Sequence, residues 1–241
     1  MREADQVARD LAARVEGEVL AGRAARSLYA TDASIYRRLP LCVVRVKSLQ
    51  DAAAAVAYCA EEGIPLAPRG AGTGLAGESL TRGVVLDFSV HLRAIGPVET
   101  DEVWVEAGVV PDVLNRALRS RGLLFGPDPA TSDRCTVGGM VGINSTGGHS
   151  LVYGDTRRRL RALEVVLSDG APAVLAPGPA PDSGARGLDG LLARTAALAR
   201  KAQALRLPFA PTLARNRHGY LLWEALRGDR LRGLLGPMSS G

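Results

Sequence analysis

Gly70, Gly72, Gly74 and Gly77 stand within one stretch, Pro65-Leu66-Ala67-Pro68-Arg69-Gly70-Ala71-Gly72-Thr73-Gly74-Leu75-Ala76-Gly77. Glycines there let a ligand approach the backbone closely and leave its amide N–H groups uncovered. Successive N–H groups in turn conformations form an anion-binding nest, so the stretch points to a phosphate or a diphosphate. Residues 42–46, Cys-Val-Val-Arg-Val, have the β-branched content of a buried strand. Ser48 opens an Ala-rich helix that runs to residue 62 and closes at Gly63, and residues 64–67 follow as a second strand. Strand, helix and strand make a βαβ unit. The glycine loop leaves the C-terminal end of its second strand, where open α/β sheets bind ligands.

The other segments follow from periodicity and punctuation. Val7, Leu11, Val15 and Val19 fall at helical spacing and predict one amphipathic helix over 3–20. Residues 27–41 are irregular, with Thr31-Asp32-Ala33-Ser34 as a candidate helix cap and Pro40 as a stop. Strands are predicted over 83–88 and 103–107, the latter with one wet face, and a helix over 111–118 that Gly122 terminates. A stiff loop, Phe125-Gly126-Pro127-Asp128-Pro129-Ala130-Thr131-Ser132, precedes a helix that starts near Thr136 and presents Gly138 and Gly139 to something flat or to another backbone. Tyr153-Gly154-Asp155 is a turn, 160–167 a strand with Ser168-Asp169-Gly170 as its hairpin signal, and 171–187 a loop containing Ser183.

Composition narrows the classes. The chain has 241 residues, 46% apolar and 23% charged, enough for a sizeable core. No apolar run approaches the roughly 18 residues needed to span a bilayer. The acid-containing start is neither a signal nor a transit peptide, so the expected location is cytoplasmic, with any attachment to the inner membrane made through a partner. The net charge of +5 rests almost wholly on Arg, since Lys47 and Lys201 are the only lysines. Only Arg157-Arg158-Arg159 with Arg161 is clustered, without interleaved aromatics, so nucleic acid is not an expected partner. Cys42, Cys59 and Cys135 have neither zinc-site nor disulfide spacing and read as small buried residues, and no metal site is expected.

Three ordered motifs carry a resemblance. Pro68-Arg69-Gly70-Ala71-Gly72-Thr73-Gly74 with Gly77 comes first, then Pro127-Asp128-Pro129. The third is Thr136 and Gly138-Gly139 with Asn144-Ser145-Thr146-Gly147-Gly148 and Tyr153-Gly154. Together they resemble the FAD-binding domain of FAD-linked oxidases, the vanillyl-alcohol oxidase or PCMH type, over about residues 29–220. The nearest flavour is the glycolate oxidase subunit and the D-lactate and D-2-hydroxyglutarate dehydrogenases. The resemblance implies an α+β fold of two lobes with FAD between them: 1–96, a small parallel βαβ lobe with the diphosphate loop 68–77, and 97–241, a mostly antiparallel sheet with flanking helices. It also implies that Pro68 through Gly74, with Gly77, hold the diphosphate, Arg69 to Gly74 through backbone N–H groups. A Val side chain at Gly72 is then expected to collide with the phosphate. Pro127, Asp128 and Pro129, with Thr136, Gly138 and Gly139, would border the flavin, and so would Asn144, Ser145, Gly147 and Gly148. Members that link the flavin covalently have a histidine where this chain has Thr73, so the implied FAD is non-covalent.

Gly72 to Gly77 also satisfies G-x-G-x-x-G, but a turn and a strand follow where a Rossmann site needs a helix. His91 and His149 show no partner in sequence. His218, in Arg215-Asn216-Arg217-His218-Gly219-Tyr220, resembles an Arg-x-x-Gly-Tyr segment of the group. Past Tyr220 nothing matches the family's Gly-Ser-Glu-Gly-Thr-Leu-Gly-like segment or its substrate-capping domain, which implies a C-terminally truncated chain without assigned catalytic residues. Two functions stay open. One is the FAD half of an enzyme that moves a hydride from a 2-hydroxy acid to flavin N5; the other is a non-enzymatic FAD-binding subunit that needs a partner chain or capping domain.

Overall fold

The computed structural model of the chain describes residues 4–176 and 186–204. Its centre is a four-stranded sheet in the order β1-β2-β4-β3, made of β1 (Glu18–Leu20), β2 (Cys42–Arg45), β3 (Leu66–Arg69) and β4 (Val84–Asp87). Strands β2, β4 and β3 are parallel, and β1 is an antiparallel edge. Val43, Val44, Val84 and Val85 are all fully buried, so both faces of the central strands are covered. That is why these strands are continuous apolar runs rather than alternations. Helices α1 (Ala4–Ala12) and α3 (Leu49–Glu61) share a core with one face, through Val7, Leu11, Ala55 and Tyr58 against Val44 and Leu86. Cys42 and Cys59 belong to this core, and burial pushes their thiols up to about 12 and about 11.

Helix α3 forms as its sequence dictates. Ser48 Oγ accepts the Asp51 N–H at 3.1 Å at its start, and Gly63 leaves its end at φ 62°. The βαβ unit is present as expected, and β4 lies between its two parallel strands, β2 and β3. The helix expected over 3–20 is corrected. It stops at Ala12, and residues 18–20 become β1. Glu16 N–H is drawn to Asp51 Oδ1 at 2.8 Å, and a Cβ on Gly17 would lie 2.3 Å from the Arg45 carbonyl oxygen. Val15 and Val19 still pack on the α1 core, so a turn and a strand satisfy the same spacing of buried residues that a helix would.

Helix α2 (Arg23–Leu28) precedes the irregular segment. Thr31-Asp32-Ala33-Ser34 caps no helix: Asp32 Oδ1 accepts the Ser34 N–H at 2.9 Å in a local turn, and Thr31 bridges to Arg37. Strands β5 (Ile95–Glu99) and β6 (Glu102–Val105) form an antiparallel hairpin. Gly96 and Pro97 hid β5 from the sequence pattern, and a register irregularity between Ile95 and Val98 accommodates them. This hairpin packs with α4 (Pro111–Leu118) and α5 (Val137–Gly142) around Val109, Leu114, Leu118 and Val137.

After the short α6 (Ser150–Tyr153) comes a second hairpin, β7 (Leu163–Val166) and β8 (Pro172–Leu175), which shares a small core with α7 (Arg186–Ala204) through Leu175 and Leu188. Strand β8 corrects the first part of the loop expected over 171–187; its proline takes the first strand position, where no ladder bond is lost. Ser183, His218 and Tyr220 lie outside the described residues. Gly170, at φ 87°, turns this hairpin against α3, where a Cβ would be 2.6 Å from that of Ala57. The architecture is α+β: a small, mostly parallel sheet with its helices, joined to two antiparallel hairpins.

Candidate functional site

Parallel strands β3 and β4 end side by side at Arg69 and Asp87, and the chain passes from Arg69 straight into the glycine loop. Residues 70–83 return to β4 without a helix, so the G-x-G-x-x-G pattern here lacks the Rossmann helix. Gly72 at φ 67° and Gly77 at φ 80° hold the left-handed conformations that bend the loop. Among the described residues, the amides of Gly70 through Gly74 donate to no protein acceptor. They form the uncovered donor set expected of a nest.

Beneath the loop lies the side chain of Arg69. Its Nη2 donates to the Thr31 carbonyl at 2.9 Å, and its guanidinium carbon is 5.3 Å from the centre of the Tyr29 ring. Its Nη1 is buried without a hydrogen-bond partner, and no carboxylate pairs with Arg69 among the described residues. A buried donor left unsatisfied costs about 1–3 kcal/mol, so this one marks a place for an acceptor. A Cβ on Gly72 would lie 2.4 Å from Arg69 Nη2, so a side chain there strikes the guanidinium under the loop whatever lies above it.

The surrounding groups hold that arrangement. Tyr29 donates from its hydroxyl to buried Asp87 at 2.5 Å and accepts from Arg45 Nε at 3.2 Å; burial and then Asp87 raise its pKa. Ala33 N–H donates to the Gly72 carbonyl at 3.0 Å, and Ser79 Oγ to Asp32 Oδ2 at 3.1 Å. Burial alone would raise the Asp32 pKa, but the hydrogen bonds from Ser34 and Ser79, with Arg69 nearby, outweigh it and bring it down.

The second and third motifs meet the loop through glycines. A Cβ on Gly70 would be 2.1 Å from Thr136 Oγ1, and Thr136 caps α5 by accepting the Gly139 N–H at 3.2 Å. Gly138 faces another backbone: its N–H donates to the Ala107 carbonyl at 2.8 Å, and its Cβ would be 2.7 Å from that of Ala107. Asn115 brackets Phe125 through both its amide atoms, and Gly126 lies against the Tyr153 ring. His149, partnerless in sequence, pairs Nδ1 with Asp128 Oδ2 at 2.5 Å, while its backbone N–H donates to Asp128 Oδ1 at 3.1 Å. That side-chain hydrogen bond is the main reason the Asp128 pKa is lowered. His91 likewise has a partner, Glu18 Oε1 at 2.9 Å.

These contacts enclose a cleft of about 2030 Å³, beyond the ~300–1,000 Å³ of ordinary small-molecule pockets and roomy enough for an extended cofactor. Pro68 through Gly74 line it from the glycine loop, and Pro129, Thr136, Gly138, Gly139 and Ser145 from the second half. Gly77, Pro127 and Asp128, with Asn144, Gly147 and Gly148, do not line it. Asn144 is instead buried at φ 48°, accepting the Arg157 N–H at 3.0 Å and donating to Asp155 at 3.3 Å. Arg158, Arg159 and Arg161 of the Arg cluster also line the cleft, with Arg159 bonded to the Tyr153 carbonyl and Arg161 to Glu102. The sequence carried no sign of Tyr29, Thr31 or Asp87 as supports for Arg69, because they converge only through the sheet.

Residues 40–175 match the protein family described as FAD binding domain. The chain is similar to the D-2-hydroxyglutarate dehydrogenase of Pseudomonas putida, 42% identical over 159 residues that make up 64% of this chain and 16% of that protein. It is also similar to the glycolate oxidase subunit GlcD of Bacillus subtilis, 36% identical over 61% of this chain and 32% of that one. The chain therefore spans a small part of the length of these relatives. Among solved structures, 6-hydroxy-D-nicotine oxidase from Arthrobacter nicotinovorans shares the fold, with a TM-score of 0.60 at 19% identity over 67% of this chain and 36% of that one. No helix among the described residues is long and apolar enough to cross a membrane.

Proposed function

The chain belongs to the FAD-binding domain family, and from that premise we propose that it is the FAD-binding portion of a flavin-dependent dehydrogenase of 2-hydroxy acids, with the cofactor held non-covalently. The observation that carries this reading is the pairing of five uncovered loop amides, Gly70 through Gly74, with the buried, unpartnered Nη1 of Arg69. Such a donor set fits a diphosphate, whose oxygens accept several N–H groups and balance a guanidinium. In this reading Arg69 serves through its side chain as well as its backbone. Pro129, Thr136, Gly138, Gly139 and Ser145 face the remainder of the cofactor across the cleft. Gly77 bends the glycine loop, Asp128 packs against Gly147 and Gly148, and Asn144 binds Arg157 and Asp155, so these residues shape the walls without lining the cleft. Held by these residues, FAD would supply the redox chemistry, hydride acceptance from the carbon that bears the substrate hydroxyl. The chain's own part is to bind and orient the cofactor.

The substrate class is inferred from relatives named for D-2-hydroxyglutarate and glycolate. The name of the second relative, a subunit, also favours a reading in which a partner chain completes the substrate side. One experiment separates these. The 241-residue chain is loaded with FAD, its visible spectrum is recorded, and the protein is precipitated with acid; non-covalent cofactor leaves with the supernatant. Anaerobic addition of D-2-hydroxyglutarate, D-lactate or glycolate is then expected to bleach the flavin if the chain suffices, or only after a partner chain is added if it does not. A flavin bleached by none of the three under either condition overturns the substrate class.

A further inference from the structure

Glu78, on the rim of the cleft, has no part in the diphosphate cradle, yet its side chain is folded back onto the loop. A Cβ on Gly74 would lie 1.7 Å from Glu78 Oε1 and 2.4 Å from its carboxyl carbon, so the space that glycine leaves is filled by this carboxylate. Its other oxygen accepts the Ala76 N–H at 3.1 Å. Among the described residues Glu78 pairs with no Arg, Lys or His. The far end of the anion-binding loop thus holds an acidic group of the chain itself, with no cation to offset it.

Resting on the FAD reading above, we propose that Glu78 is an internal electrostatic competitor of the diphosphate: it fills the space that Gly74 leaves for want of a side chain, binds the Ala76 amide just past the five uncovered ones, and by its charge lowers the affinity of the loop for FAD. Two anions held by neighbouring amides repel each other, and the interaction weakens with salt. Withdrawal of the Glu78 side chain is therefore coupled to filling of the loop. Glycine at position 74 permits the contact, and the flexible Glu side chain permits its release.

The test compares FAD binding to the 241-residue chain and to Glu78→Gln, which keeps the length and an acceptor for Ala76 but removes the charge. At low salt the variant is expected to bind FAD about tenfold more tightly, with the gap narrowing as salt is added. ADP carries the same diphosphate without the flavin and is expected to gain by a similar factor. Glu78→Ala, which also frees the Ala76 amide, is expected to gain at least as much. Unchanged or weaker FAD binding by Glu78→Gln, with the parent chain binding FAD, overturns the competition alone. No FAD binding by folded parent and variants alike overturns the cofactor reading, and the competition with it.

Discussion

A methyl group at Gly147 would lie 1.9 Å from the Asp128 carbonyl oxygen, and backbone on both sides leaves little room to yield. Gly147→Ala is therefore expected to destabilise the chain by about 1–3 kcal/mol in a denaturant titration. Gly142, at the end of α5, has no atom within 4 Å of an added Cβ. There the same substitution removes a helical glycine without a clash, and a gain of up to about 1 kcal/mol is expected. The opposite signs follow from the surroundings, since both residues belong to one glycine-rich segment. Sequence alone could not separate them. It marked a run of glycines, whereas the structure divides them into close approaches, left-handed turns and positions open to the cleft.

At the scale of elements, Asp51 joins three of them. Its carboxylate accepts the Glu16 and Lys47 N–H groups, each at 2.8 Å, while its own N–H is bound by Ser48, so α3, the turn into β1 and the end of β2 share one buried side chain. Asp51→Ala leaves two amides unpaired and is expected to cost about 2–4 kcal/mol by chemical denaturation; a loss below ~1 kcal/mol would contradict this role. The Asp128–His149 pair ties the second motif to the third. Because its folded carboxyl titrates below the usual range, its contribution is present above the ordinary carboxylate pKa and is lost as pH falls through the folded value. Thermal melts on acidification are expected to decline more steeply for the parent than for Asp128→Asn, by less than about 1 kcal/mol because the pair is exposed; parallel declines would contradict it.

Elements with a local signature were legible in sequence: α3 from its Ser48 cap and Gly63 stop, β2 and β4 from β-branched runs, α4 from Pro111. The elements missed were set by tertiary contact. Strand β1 exists because Glu18 to Leu20 pair with β2, and β5 tolerates Gly96 and Pro97 because its partner β6 supplies the register. Of the site, the glycine motifs announced themselves, but the network of Tyr29, Thr31, Asp87 and Arg69 spans the sheet and leaves no trace in spacing.

For the molecule as a whole, the glycine loop after β3 and the Thr136 cap of α5 meet at Gly70, and this junction sets the two cleft walls against each other. The hairpin β7–β8, seated on α3 through Gly170, holds the second half to the first. Within this frame Arg69 carries a buried donor that the fold does not use. The most direct measurement is a pair of titrations, FAD into the parent chain and into Arg69→Met, with thermal melting of both. Arg69→Met loses the Thr31 hydrogen bond and the contact with Tyr29 but also removes an unsatisfied buried donor, so stability is expected to change by no more than about 1 kcal/mol. FAD affinity is expected to fall about tenfold or more, because a charge-assisted contact to the diphosphate is gone. An Arg69→Met variant that folds like the parent and binds FAD equally well would contradict the assignment of this loop and its guanidinium as the diphosphate site.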